Sequence, residues 1–296
     1  MLLKVGSRGS EVKLLQEFLN IGNDGIFGKG TEAAVMSWQS DNRLTVDGIV
    51  GPKTWSAMGL DELATTDNSE KVIELPDGLI IEPYFLPKGE YKEGPTNKEY
   101  IFLHHTAGWH NPYRTIDHWG RDKRGAVATE FVLGGPSVNG NDDTYDGKLL
   151  QCIPEGGYGW HLGKNGSQHM HTHSVGIEVN NFGYVVDGKT YAGTKVHESQ
   201  IVTLPESFRG HKTWHRYSDK QIEVLRKWIF YIAERDNIDV RKGLVEEVRK
   251  NGAKGFEFNE DAYYGKVKGM WTHTNTRKDK VDMFPQPELL DMLLSL

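Results

Sequence analysis

The stretch Tyr100-Ile101-Phe102-Leu103-His104-His105-Thr106-Ala107-Gly108 sets the reading of the fold: an apolar run, the mark of a buried strand, breaks into two histidines and then into small turn-forming residues. A strand points successive side chains to opposite faces, so His104 shares a face with Phe102 and Tyr100, and His105 with Leu103 and Ile101. At most one of the pair can serve a given site. Histidine at a strand end suits a catalytic metal centre, which takes three protein ligands and leaves one position open. Near the other end of the chain, Gly269 to Pro285 offers His273 and, after a polar loop, Asp282, completing a His/His/Asp set.

Working outward, four segments stand in one order: Phe102-Leu103-His104-His105-Thr106-Ala107-Gly108; Gly159-Trp160-His161-Leu162-Gly163; Ser174-Val175-Gly176-Ile177-Glu178-Val179; and His273 with Asp282. Together they resemble the motifs of the zinc N-acetylmuramoyl-L-alanine amidases, a family that includes phage endolysins and peptidoglycan recognition proteins. The likeness spans residues 97 to 290. It implies an α/β (α+β) domain with a mixed central β-sheet flanked by helices, and Zn2+ held by His104, His273 and Asp282. Some members use cysteine at the third position, where this chain has aspartate. Cys152, the single cysteine, reads as a small buried apolar residue.

Composition narrows the class. The chain has 296 residues, ample for two domains, with 37% hydrophobic residues and a mean hydropathy of −0.56. No apolar run is long enough to suggest a membrane span. The opening Met1-Leu2-Leu3-Lys4-Val5-Gly6 turns polar too early for a secretory signal, and one cysteine allows no internal disulfide. Synthesis in a reducing cytosol without a signal peptide is therefore expected, with action on the cell wall after release, as the resemblance to endolysins implies. Residues 1–60 carry six Lys/Arg against six Asp/Glu, so the net charge of −6 falls on the remainder. That balance argues against a nucleic-acid partner, and wall attachment should rest on specific contacts. A monomer is expected.

The N-terminal sixty residues contain a repeat. Asp24-Gly25-Ile26-Phe27-Gly28-Lys29-Gly30-Thr31 and Asp47-Gly48-Ile49-Val50-Gly51-Pro52-Lys53-Thr54 share Asp-Gly-x-x-Gly-x-x-Thr, each leading into a short helix. Asp-Gly supplies a turn with positive φ, and Pro52 suits a first helical position. Val12, Leu15 and Leu19 recur at helical spacing before the first copy, and Ala34, Val35 and Trp38 between the copies, so three short helices result, with Trp38 and Trp55 as core anchors. This all-α module, residues 1–60, resembles the peptidoglycan-binding three-helix module of wall hydrolases. Its turn residues read as structural. Residues 61–78, polar and aperiodic, read as a linker, and residues 79–296 as the catalytic domain.

In that domain Leu79 to Leu86, interrupted by Pro83, reads as an edge strand. Val127–Gly134, Lys148–Ile153 and Ser174–Val179 read as further strands, Asn111-Pro112 as the start of a helix through Arg121, Ser218 with Gln221 as a capping box for a helix to Asp236, and Pro287–Leu296 as a last helix. On the strand Ser174–Val179, the residues Val175, Ile177 and Val179 alternate with Ser174, Gly176 and Glu178, continuing to Asn180. This leaves Glu178 on a polar face as general base, with Gly176 permitting close approach. Glu130 is its rival, because a catalytic tyrosine of some family members is absent from Ala128-Thr129-Glu130-Phe131. Lys280, two residues before Asp282, sits where the family pattern has a lysine that stabilises the charged intermediate. His161, Thr106 and Asn180 are expected to line the substrate groove. His169, His171 and His173 alternate as strand ligands would, but a preceding Asn165-Gly166-Ser167 reads as loop. Residues 186–216 match nothing assigned.

The expected reaction is hydrolysis of the amide joining the lactyl group of N-acetylmuramic acid to the L-alanine of the stem peptide. The alternatives are a wall-binding protein without catalysis, a zinc peptidase cutting within the stem, and a glycosidase. The last needs two carboxylates flanking a sugar bond, and no motif supplies them.

Overall fold

The computed structural model describes residues 2–60, 72–94, 96–163 and 167–296. Two compact units divide at Val72/Ile73.

In the first unit, three helices, Ser10–Phe18, Lys29–Asp41 and Pro52–Ala57, enclose Val12, Leu15, Phe27, Val35, Val50 and Trp55. Trp55 is fully buried, but Trp38 only packs against this cluster, its ring edge-on to Phe18 at 5.8 Å. The repeat is built around two buried glutamines. Gln16 Nε2 donates to Asp24 Oδ1 (2.8 Å), the Ile26 carbonyl (3.1 Å) and Thr31 Oγ1 (3.1 Å), while its Oε1 accepts from Gly25 N–H (2.8 Å). Gln39 does the same with Asp47 (2.9 Å), Ile49 (2.9 Å), Thr54 (3.3 Å) and Gly48 (3.0 Å). Gly25 (φ 72°) and Gly48 (φ 68°) take the left-handed conformation that Asp-Gly turns need. The Asp-Gly-x-x-Gly-x-x-Thr residues thus serve the turns, and Gln16 and Gln39, eight residues before each Asp, complete the motif.

The second unit is organised by a seven-stranded mixed sheet: β1 (Ile73–Glu74), β2 (Ile80–Pro83), β3 (Tyr100–His105), β4 (Phe131–Leu133), β5 (Leu149–Gln151), β6 (Ser174–Val179) and β9 (Gly269–Thr272), in the order β1-β2-β5-β4-β6-β3-β9. The four strands β4, β6, β3 and β9 are mutually parallel, whereas β1–β2 and β4–β5 are antiparallel. The linker expected over residues 61–78 falls in part outside the described residues, and its described part contains β1. Leu79–Leu86 is correspondingly no edge: β2 lies between β1 and β5, with Pro83, which lacks an N–H, placed as its last residue. The strands expected at 127–134 and 148–153 shrink to three residues each, because Val127–Glu130 runs irregularly into β4.

Helix Asp219–Asp236 carries the predicted capping box of Ser218 and Gln221 and lays Ile222, Leu225, Trp228, Ile229 and Ile232 on one face of the sheet, where Trp228 meets Phe131 edge-on at 5.5 Å. Helix Pro112–Trp119, capped by Asn111, covers the other face with Leu86, Val132, Leu150 and Cys152. Every residue of β3 is buried, as a central parallel strand should be. Residues 186–216 contain a second, two-stranded sheet, β7 (Ile201–Phe208) with β8 (His211–His215). His169 and His171 lie in a short helix, Gln168–Thr172, so a strand-face cluster with His173 does not form.

Candidate metal centre

The register of the parallel strands builds the site. His104 on β3 is level with Glu178 on β6, and Leu103 is level with Thr272 at the end of β9, which delivers His273 beside His104. The three candidate side chains, Glu178, His104 and His273, therefore emerge at the carboxyl ends of adjacent parallel strands, where open α/β sheets form their binding crevices. Thr272 caps the short helix His273–Thr276 through a reciprocal pair with Asn275, whose side chain also donates to the Gly255 and Glu257 carbonyls at 2.9 and 2.8 Å. From this anchored turn the chain loops back to Asp282, and the Thr274 N–H donates to the Asp282 carbonyl at 3.1 Å.

Asp282 Oδ2 lies 3.0 Å from His273 Nδ1 and 3.3 Å from His104 Nδ1. One ligand atom from each of the three residues falls within 4.8 Å of the others, the one such group among the described residues. Burial pushes His104 down to about 4, against the pull of Asp282. Burial alone would raise the Asp282 carboxyl, but the adjacent imidazoles of His273 and His104 outweigh it and hold the group well below the usual carboxylate range. A neutral imidazole facing an ionised carboxylate is a suitable donor set for a divalent cation, and the residues present fit zinc. His105 points to the opposite face, as strand alternation requires, and pairs with the Tyr217 hydroxyl at 2.8 Å.

His161 is half-buried and is bonded to two residues of the site. Its Nδ1 is 3.0 Å from His104 Nε2 and its Nε2 is 2.7 Å from Ser174 Oγ, making a line from Ser174 through His161 to His104. Gly176 makes room for that ring, since a Cβ there would come within 3.1 Å of His161 Nδ1 and 2.8 Å of Thr129 Cγ2. The glycine expected to admit a substrate admits an imidazole instead.

Glu178 is only partly buried, and its Oε2 has no hydrogen-bond partner. Burial and the charge of Asp282 push its carboxyl well up, while Lys280 pulls it down. The same lysine's charge also disfavours protonation of His104 and His105. Glu130 is occupied elsewhere, buried in an ion pair with Arg235 (2.8 Å) and accepting from Gln151 Nε2 (3.2 Å). It is therefore no rival for the base. Thr106, half-exposed just past β3, accepts from the Asn181 N–H at 3.3 Å. Asn180 is buried rather than groove-lining, because its amide is spent on the Trp109 carbonyl and Thr115 Oγ1 and so ties down the loop after β3. His169 pairs with Glu99 at 2.9 Å and His171 with the Gly163 carbonyl at 3.1 Å, so neither joins a metal set. Cys152 is buried and donates its thiol to the Thr129 carbonyl at 3.0 Å.

Sequence reading missed the tie from His161 to His104, although Ser174, Gly176 and Glu178 at period two already put a hydroxyl, a gap and a carboxylate on one face.

Comparison with known proteins gives the family. Residues 94–254 match the family described as N-acetylmuramoyl-L-alanine amidase, and residues 8–58 match a peptidoglycan binding domain. A probable N-acetylmuramoyl-L-alanine amidase of Bacillus licheniformis is 38% identical over 87 residues, covering 27% of this chain and 24% of that protein, so the chain spans about a quarter of the relative it matches. Among solved structures, a Burkholderia AP3 phage endolysin is 41% identical, covering 20% of this chain and 24% of its own, with a TM-score of 0.19. The N-acetylmuramyl-L-alanine amidase AmiD from E. coli is 19% identical, covering 58% and 55%, with a TM-score of 0.31. The amidase match takes in more than half of the residues, and the chain belongs to the N-acetylmuramoyl-L-alanine amidase family.

Proposed function

We propose that this chain is a peptidoglycan hydrolase of the phage endolysin kind, which cuts the amide between N-acetylmuramic acid and the L-alanine of the stem peptide with the help of zinc. The observation that carries the reading is the convergence of two imidazole Nδ1 atoms on one buried carboxylate oxygen, at 3.0 and 3.3 Å, with an unpartnered glutamate oxygen level with one of them. His104, His273 and Asp282 would hold the ion. Zinc bound there supplies Lewis acidity, polarising the scissile carbonyl and lowering the pKa of water to roughly 7.

The remaining work belongs to the chain. Glu178, with a free carboxylate oxygen in a partly dry setting, takes the proton from the attacking water and returns it to the leaving amine. Lys280 holds the developing oxyanion by charge. With an ion on the Nδ1 side of His104, its Nε2–H would donate to His161 Nδ1, 3.0 Å away, and the Nε2–H of His161 to Ser174 Oγ at 2.7 Å, which would fix both tautomers. Thr106, half-exposed just past β3, would meet substrate. The N-terminal unit serves as a wall anchor, the protein works as a monomer outside the membrane, and it reaches the wall after release from the cytosol.

Digestion of purified walls tests this. New free amino groups without new reducing ends, abolished by a chelator and restored by zinc, are expected. New reducing ends would instead make the chain a glycosidase, cleavage within the stem a peptidase, and wall binding without products a recognition protein. Glu178→Gln should lower turnover by roughly 10²-fold or more while zinc stays bound.

A further inference from the structure

Resting on that reading, we infer that Arg209, on the turn between β7 and β8, is a positioning residue that latches the loop carrying Lys280 and Asp282. The loop from His273 to Asp282 supplies two of the three ligands and the oxyanion lysine, yet its outer part, Lys278 and Asp279, is exposed. Few backbone bonds hold it: Arg277 N–H to the His273 carbonyl at 3.0 Å, Thr274 N–H to the Asp282 carbonyl at 3.1 Å, and a longer Lys280 N–H to the Arg277 carbonyl at 3.4 Å.

Arg209 reaches in from a distant part of the sequence and closes this gap. Its Nη1 donates to the Lys278 carbonyl at 2.7 Å and its Nη2 to the Thr274 carbonyl at 3.1 Å, one planar group spanning the loop from its inner to its outer end. Its Nε lies 3.2 Å from Glu257 Oε2, and the side chain is nearly buried, at 13% exposure. The Glu257 carbonyl in turn receives the Asn275 side chain at 2.8 Å, so the latch and the cap of the His273 helix share one support. A fork of this kind satisfies two carbonyls in a fixed geometry that a single ammonium cannot reproduce. The hairpin also holds Arg209 at φ 50°, a conformation unfavourable for a residue with a Cβ, followed by Gly210 at φ 82°. The β7–β8 hairpin thereby gains a purpose beyond its own pairing, which is to present a guanidinium to the metal loop.

Zinc affinity of the full chain, measured by competition with a chromophoric chelator, decides the matter alongside kinetics on a soluble muropeptide. Arg209→Ala is expected to weaken zinc binding by roughly 10–100-fold and to lower kcat more than it raises KM, since the loop carries groups that act on the reacting centre. Adding guanidinium at low millimolar concentration should restore affinity in Arg209→Ala, where equal sodium chloride does not. Arg209→Lys, which keeps the charge but can reach only one carbonyl, should retain the metal-free Tm and still bind zinc less tightly. If wild type binds zinc and both variants bind it equally well, the latch is overturned while the metal reading stands. If both variants lose zinc only in proportion to a lowered metal-free Tm and guanidinium rescues nothing, Arg209 merely stabilises the hairpin and the latch is overturned. A wild type that binds no zinc overturns both.

Discussion

At the scale of single residues, the site is set by how little room surrounds His161. Its ring bridges Ser174 and His104 and rests where Gly176 has no side chain. Gly176→Ala places a methyl 2.8 Å from Thr129 Cγ2, closer than such contacts normally allow, so either Thr129 or the imidazole must move. The ring is the more consequential of the two, and losing its bond to His104 should weaken zinc binding by roughly 10–100-fold in a chelator competition. An unchanged affinity would mean that Thr129 absorbs the strain. A different residue governs pH behaviour. Lys98 is buried, donates to the Gly157 and Thr172 carbonyls at 2.8 and 3.2 Å, and is pushed down to about 8 by burial, an effect that Glu130 partly offsets. Between that value and the ordinary lysine range the unfolded chain binds more protons than the folded one, so this group's contribution to stability rises with pH across the window. Below it both states are protonated and the full cost of the buried ammonium remains. Wild type should therefore gain about 2–3 kcal/mol relative to Lys98→Met between pH 7 and pH 10 in denaturant unfolding. Parallel pH profiles for the two proteins would show that Lys98 is not buried as a charge.

At the scale of elements, the strand and helix patterns that bury one type of side chain were readable, and those defined by partners were not. β3 announces itself because both of its faces are covered, and helix Asp219–Asp236 because an apolar stripe follows a capping box. The three residues proposed as ligands were picked out by the resemblance together with their setting: His104 ends an apolar run, and His273 and Asp282 stand in a polar loop, and the fold brings the three together. β9, which brings His273 into place, was not recognised, since Gly269–Thr272 is a strand only by pairing with β3. Likewise β7 carries mostly exposed or half-exposed residues and has no periodicity to read. Gln16 and Gln39 were missed because a glutamine within a helix looks like a surface residue; only the fold shows each closing an Asp-Gly turn. Their burial makes a prediction. Gln39→Ala strips the Gly48 N–H, the Ile49 carbonyl and Asp47 Oδ1 of a shared partner and should cost about 1–3 kcal/mol, with a similar loss for Gln16→Ala. In a unit of some sixty residues that is a large part of the total stability. Faster amide exchange confined to residues 2–60 would register it, and unchanged protection at Gly25 or Gly48 would argue that water replaces the side chain.

For the whole molecule, the division of labour proposed for the two units can be argued from their charge and size. Residues 1–60 are electrically balanced, six basic against six acidic, and the net −6 lies beyond them, so neither unit carries a net positive charge to draw it to the anionic polymers of a cell wall. Adhesion has to come from short-range contacts, and two weak attachments on one polymer strengthen each other when the intervening chain lets both engage. A chain lacking residues 1–60 should then hydrolyse a small soluble muropeptide as fast as the full protein, because every group assigned to the reaction lies in the second unit. On intact walls the same truncation should lower apparent affinity by roughly 10²–10⁴-fold, the range expected when one of two tethered sites is lost. Salt provides the discriminating control. Contacts that do not depend on long-range attraction should survive a rise from 0.05 to 0.5 M sodium chloride (~10-fold) with little change in adsorption, since screening acts mainly on separated exposed charges. A steep loss of binding with salt would mean that the wall is held by local basic residues whose effect the overall balance conceals. Equal wall affinity with and without the first sixty residues would remove the anchoring role altogether.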